Sequence, residues 1–361
     1  MISKEAQRLT RVVFKYSSLL KFTPWLFDEK TCVLRREKSL LPFHLNMAIF
    51  LLYNTFLIVQ LRTTLGQRDP LAFIRTVIQI IAISASTMIS SVSCEIVLTK
   101  DEIMEHYNTA FSYHKKFAQT YCHRKILRDG NFKYGFEIWM KLFLYSMNFL
   151  MGFVCPIFAV TGKRLNIFLS SVFINYLKSG GLGPNMFLFF LTLAHMRIFL
   201  FGSFIALNCT FLFIPQLCQT IVVLGEIRPH FHSKLTKSPA RKPVNVVRIL
   251  RAIALLQQQC NAIIKRNIVP SSLTLMMGMS VFCNYAVITA RLNITTRLSS
   301  ILIGKFIGVM ISFMCTIFII FECNITSRVA ISYQRTLRAW KISRISRYHK
   351  KILKSLRPQG V

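Results

Sequence analysis

Residues 40–61 read LLPFHLNMAIFLLYNTFLIVQL, an apolar run flanked by Lys38 and Arg62. At 1.5 Å of rise per residue, such a run crosses a hydrocarbon core about 30 Å thick as a single helix. Five more stretches have the same character, at 71–98, 134–160, 199–224, 268–290 and 298–321. The charge between the stretches sets their orientation. Lys and Arg number nine before Ser39, seven in 99–133, nine in 226–266 and ten from Arg328 onward. The three alternate loops hold only Arg62 and Arg68, then Lys163, Arg164 and Lys178, then Arg291 and Arg297. The bias is thirty-five against seven, and the positive-inside rule places the rich side in the cytosol. The expectation is an all-α polytopic transmembrane bundle of six spans with both ends cytosolic. Its parts are a cytosolic arm (1–39), a six-span domain (40–327) with cytosolic helical loops at 99–133 and 226–266, and a basic helical tail (328–361).

The composition agrees, with 53% apolar residues, 31 phenylalanines and a mean hydropathy of +0.46. A net charge of +33 invites a nucleic-acid reading. The basic residues instead lie close to span ends, where anionic cytoplasmic lipid attracts them, so the partner they indicate is the lipid bilayer and not nucleic acid. The first twenty residues carry Lys4, Arg8, Arg11 and Lys15 and lack the apolar core and cleavage site of a signal peptide. Ten cysteines lie within apolar stretches or on the reducing cytosolic side, with no CxxC pair and no zinc spacing. They read as apolar filler.

The stretch 165–224 decides the parity of the spans. Its break at Lys178-Ser-Gly-Gly-Leu-Gly-Pro184 reads as an ordered outer loop, followed by one span at 199–224, with His195 and Arg197 near the outer interface. A further span there would translocate the basic segments that follow. Two cytosolic segments read as helices. In 99–133 apolar residues recur at Ile103, Tyr107, Ala110, Phe111, Phe117 and Tyr121, and in 246–266 at Val247, Leu250, Ala254, Leu255 and Ile263. Both are expected to continue the bundle below the bilayer.

The motifs of hydrolases, metalloproteases and nucleotide-binding loops are absent, and the reading is not an enzyme, with no cofactor and no metal. Glu137 and Lys141 stand four apart in the order that favours a helical ion pair, and Arg75 and Lys305 lie close enough to span ends to snorkel. What remains is aromatic and mildly polar sequence toward the outer halves of the spans. Gln79, Ser84, Asn148, Phe149, Phe153, Phe204, Asn208 and Tyr285 are the candidate ligand-binding residues, with Phe201 and Asn284 beside them. Ligand sites are mostly apolar with a few orienting polar groups. Asn and Ser also serve as interhelical glue in membranes, and both readings apply to each polar residue here.

The C-terminal region carries the most specific pattern: Phe321-Glu-Cys-Asn-Ile-Thr-Ser-Arg328, Ser332-Tyr-Gln-Arg-Thr-Leu-Arg-Ala-Trp340 and Tyr348-His-Lys-Lys-Ile-Leu-Lys-Ser-Leu-Arg-Pro358. With the cytosolic N-terminus and long basic loops, it resembles the arthropod gustatory and odorant receptor superfamily, most closely a gustatory receptor. The tail is similar to the family's basic helical run after the sixth span, which closes on a Leu-Arg-Pro-like turn. The resemblance implies a plasma-membrane receptor for a small-molecule tastant or odorant. It also implies a ligand-gated cation channel, assembled as a homo- or hetero-tetramer with related receptor subunits. Its pore would be lined by a seventh helix bearing a Thr-Tyr…Gln-Phe signature. This sequence ends before such a helix, so six of an expected seven spans are present and conduction is expected to need a segment beyond them. The alternative is a six-span transporter or a non-conducting scaffold subunit. A coupled transporter would show matched broken helices in two repeats, and none is evident.

Overall fold

The computed structural model describes residues 4–66, 72–123, 138, 141, 144–145, 172–173, 181–229, 235–265, 268–289, 298–343 and 345–356. Among the described residues the architecture is all-α, apart from one β-hairpin. In chain order the described elements are α1 (Lys4–Leu19), β1 (Trp25–Asp28), β2 (Val33–Arg36), α2 (Leu41–Leu65), α3 (Ala72–Leu98), α4 (Lys100–Tyr121), α5 (Leu182–Glu226), α6 (Pro243–Ile264), α7 (Ile268–Thr289), α8 (Leu298–Ile342) and α9 (Arg347–Ser355). A 3₁₀ turn at Ser238–Arg241 leads into α6.

Among the described residues four helices are long and apolar enough to cross a membrane, at Leu41–Leu65, Arg75–Leu98, Leu182–Glu226 and Cys315–Ile342. α7 has span length at 22 residues. The expected span at 134–160 lies outside the described residues, apart from four isolated positions. The exposed side chains divide the molecule in two. Leu45, Leu52, Ile58 and Val59 of α2, Phe189, Phe190 and Leu193 of α5, Val281 and Ile288 of α7, and Phe313 and Ile320 of α8 all face outward. That apolar belt is far more than a water-facing surface exposes and is what hydrocarbon-facing helices present. By contrast α4 exposes Asp101, Glu102, Glu105, Lys115 and Lys116, and α6 exposes Arg248 and Arg251.

α5 corrects the expected loop at its start. It begins at Leu182 and runs without interruption for 45 residues, so 182–198 is helix continuous with the stretch expected to be a span. The Gly and Pro that read as loop are start signals. Gly181 caps the helix at φ 95°, which only glycine adopts without strain, and Pro184 sits in the first turn, where its missing N–H costs nothing. α8 likewise runs 45 residues through the expected boundary at 327/328, so the sixth apolar stretch and the first 15 residues of the basic tail are one rod. At 1.5 Å per residue each of these helices is about 68 Å long, over twice the thickness of a hydrocarbon core.

The N-terminal arm is part of the core. Val13, Phe14, Phe22, Trp25 and Leu34 are buried, and the arm's helix packs along α5. The hairpin pairs Trp25 with Arg36 and Asp28 with Val33. Asp28 Oδ1 accepts from the Lys30 and Thr31 amides to shape its turn. Asn108 of α4 then docks the hairpin by imitating a strand: its Oδ1 accepts from the Leu34 N–H at 2.9 Å and its Nδ2 donates to the Leu34 carbonyl at 2.8 Å.

Two apolar cores result. The larger joins α1, the hairpin, α2, α3 and the upper part of α4 to the middle of α5. The smaller gathers the ends of α4 and α5 (Phe117, Val223, Leu224, Ile227), the face Val246, Leu250 and Ile253 of α6, and Leu353 of α9. The stripe Val329, Tyr333, Leu337 and Trp340 of α8 is buried at helical spacing while Arg335 and Arg338 stay outside, and from Tyr333 on it belongs to this second core.

Candidate functional site

The residues expected to bind ligand do not converge. Gln79 of α3 is buried against the last turns of α2, accepting from Thr64 Oγ1 at 2.6 Å and donating to the Leu57 carbonyl at 2.9 Å. Its donors and acceptor are engaged in joining two helices. Phe204 and Asn208 lie at the opposite end of α2, against the N-terminal arm. Phe204 packs on Phe22 with ring centres 5.8 Å apart, and Asn208 Nδ2 donates to Ser17 Oγ at 2.8 Å. Phe201 beside them touches Phe22, Phe43 and Phe50. Ser84 is half-buried on α3 and Tyr285 is exposed on α7. Asn148, Phe149 and Phe153 lie outside the described residues.

One contact fixes the relative heights. Asn46, in the second turn of α2, accepts from Arg197 Nε and Nη2 at 3.1 and 2.9 Å and donates to the Lys21 carbonyl at 3.1 Å. Arg197 is therefore level with the start of α2, on the side where the N-terminal arm lies. The sequence reading set Arg197 near the outer face and the start of α2 near the inner one; the structure instead puts the two at one level. His195 is buried edge-on against Tyr53 in mid-α2. From Asn46 to Thr64 is roughly 27 Å along the helix, so Gln79 and Asn208 cannot share a small-molecule pocket.

A different polar site appears where α5 passes between α1 and α4. A cavity of about 10 Å³, the room of one water, is lined by Thr10 of α1, Tyr107 and His114 of α4, and Phe211, Gln216 and Gln219 of α5. Pro215 also lines it, inside the helix, where it has no N–H to give the carbonyl of Phe211. Gln216 is 9% exposed and Gln219 is 4% exposed. Both atoms of the Gln216 amide and Nε2 of Gln219 lack a hydrogen-bond partner. Next to Gln216 is His106, stacked on Phe213 at 6.3 Å, with neither ring nitrogen in hydrogen-bond geometry although the Gln216 and Gln259 amides adjoin it.

Burial keeps this site neutral. It lowers the pKa of His106 and pushes that of His114 down to about 3, so both imidazoles are uncharged near neutrality. Burial also pushes the Tyr107 phenol up. No lining residue is a carboxylate, a Lys or an Arg, so the cavity presents uncharged hydrogen-bonding groups. Among the described residues no group of three or more His, Cys, Asp and Glu is placed to hold a metal. In the sequence the only trace of this site is Ile214-Pro-Gln-Leu-Cys-Gln219, a proline with two amides inside an apolar run, and two histidines eight apart on α4.

No protein-family model matches the chain, and no curated protein is significantly similar to it in sequence.

Proposed function

We propose that the chain is a chemosensory receptor subunit of the gustatory type, set in the plasma membrane with its N-terminus in the cytosol. In this reading it contributes to a ligand-gated cation channel that detects small molecules and assembles as a tetramer with related subunits. The observation that carries the reading is the pair of 45-residue helices, α5 and α8. Each is over twice as long as a hydrocarbon core is thick, and their C-terminal ends meet α4, α6 and α9 in a second buried core. The flanking charge supports a cytosolic position for that core, since its surroundings carry the basic segments 226–266 and 328–361. A receptor built this way has an apolar bundle facing lipid and a rigid cytosolic platform on which subunits can associate.

Two measurements test it. Epitope tags at each end, probed on intact and permeabilised cells, should stain only after permeabilisation. The chain, expressed with related receptor subunits and challenged with a broad panel of tastants and odorants, should confer an evoked cation current that is absent without it. Surface staining of either tag would reject the topology. Correct topology with no current and no ligand-dependent thermal stabilisation would instead favour a transporter or scaffold.

A further inference from the structure

α5 is continuous but carries a proline in its interior. Pro215 removes one hydrogen bond from the ladder of α5, within the stretch from Phe211 to Cys218 that the larger core buries. Around it stand the Phe211 carbonyl, which Pro215 cannot serve, the Gln216 amide, with neither atom paired, and the unpaired Gln219 Nε2. Buried polar groups are almost always paired, and leaving one unpaired carries its full desolvation cost. Two such amides around one cavity point to a missing partner.

We propose that the cavity beside Pro215 of α5 is a binding site for an ordered water molecule. The cavity admits one water and little else, and its neutral walls suit a guest that both donates and accepts. The water accepts from Gln219 Nε2–H and Gln216 Nε2–H and donates to Gln216 Oε1 and the Phe211 carbonyl, which are four bonds from one molecule. His114 and Tyr107 close the cavity on the α4 side. A water in this place stands in for the backbone bond that proline removes, and a water-bridged turn bends at lower cost than a fully hydrogen-bonded one. The site lies 18 residues beyond Arg197, roughly 27 Å along α5, and 11 residues before the helix ends at Glu226.

The sign of a stability change tests the site. With the full chain in lipid nanodiscs, Gln216→Met and Gln219→Met are melted separately against the unmodified protein. A bound water makes each amide a satisfied partner, so each variant strands the others and should melt lower by about 2 °C or more. If the cavity is dry, each amide is an orphan and its removal should leave the melting temperature unchanged or raise it, which overturns the proposal. A variant that does not fold leaves a second measurement on the unmodified protein. In water-edited solid-state NMR of glutamine-labelled protein, magnetisation should pass from water to the Gln216 and Gln219 side-chain nitrogens as fast as to exposed amides. No transfer to either nitrogen overturns the proposal whatever the melts show.

Discussion

The indole Nε1 of Trp340 donates to the carbonyl oxygen of Ile227 at 2.8 Å, across 113 residues of chain. Ile227 caps the end of α5 and Trp340 stands near the end of α8, so this bond fastens together the far ends of the two longest helices. Nearby, Thr336 Oγ1 donates to the Leu224 carbonyl at 2.9 Å, serving another of the last carbonyls of α5. Two side chains of α8 thus satisfy a helix terminus that lies inside the smaller core.

Trp340→Phe keeps most of the buried area and loses the hydrogen bond, and is expected to cost about 1 kcal/mol. Trp340→Ala also opens a cavity and is expected to cost about 3–5 kcal/mol. Unfolding of the two variants in detergent, followed by fluorescence or limited proteolysis, checks the order. Equal stability of the two would mean that Trp340 is peripheral to the core.

Arg197 and Asn46 offer a second check, on the height of α5 in the membrane. Charged hydrogen bonds contribute about 1.5–3 kcal/mol each way a partner is removed, and neighbours in one network are non-additive. A double-mutant cycle with Arg197→Met and Asn46→Ala should give a coupling of about 1 kcal/mol or more. Additivity would place Arg197 away from the start of α2, where an outer-interface position would put it.

The difference between the expected and observed heights has a physical origin. Hydropathy sees only that 199–224 is apolar, and cannot tell a lipid-facing helix from one surrounded by protein. Phe201, Phe211, Leu212 and Leu224 are apolar because they fill the cores, whereas Phe189, Phe190 and Leu193 earlier in α5 are the ones exposed. The start of α5 was obscured because Gly and Pro mark loops and helix starts alike, and only the 95° φ of Gly181 separates them. The hairpin gave no periodic signal, since each strand is four residues long. α4 was plain in the sequence, because Ile103, Tyr107, Ala110 and Phe117 repeat at helical spacing and are the face it buries. Its His106 and His114 lie on that same face, yet histidine carries no burial signal of its own. The Pro215 site therefore emerges only when α4 and α5 are brought together.

Gln79 distinguishes a ligand contact from helix glue. With its amide engaged by Thr64 and Leu57, Gln79→Leu should loosen the α2–α3 pair by about 0.5–1.5 kcal/mol, the range found for hydrogen bonds between membrane helices. Ligand potency should change no more than that loss of stability explains. A large potency shift with an unchanged melting temperature would return Gln79 to a binding role.

The buried histidines make stability depend on pH with a definite sign. His114 is held neutral in the fold, with its pKa pushed down to about 3 by burial, while an unfolded histidine protonates near 6.5. The unfolded chain therefore binds the extra proton at any pH between those values. The contribution of His114 is fully present above about pH 7 and is lost as pH falls below 6.5, at a slope approaching about 1.4 kcal/mol per pH unit. Between pH 7 and pH 5 this amounts to about 2 kcal/mol from His114 alone. The residues that line its cavity are uncharged, so no neighbouring ion there offsets the trend. Unfolding free energies of the unmodified protein and of His114→Asn, measured at both pH values, isolate the effect. Whatever the absolute stability of the variant, its loss on acidification should be smaller by about 2 kcal/mol. Parallel losses in the two proteins would show that His114 already carries a proton in the folded state, and would put water or a charge beside it.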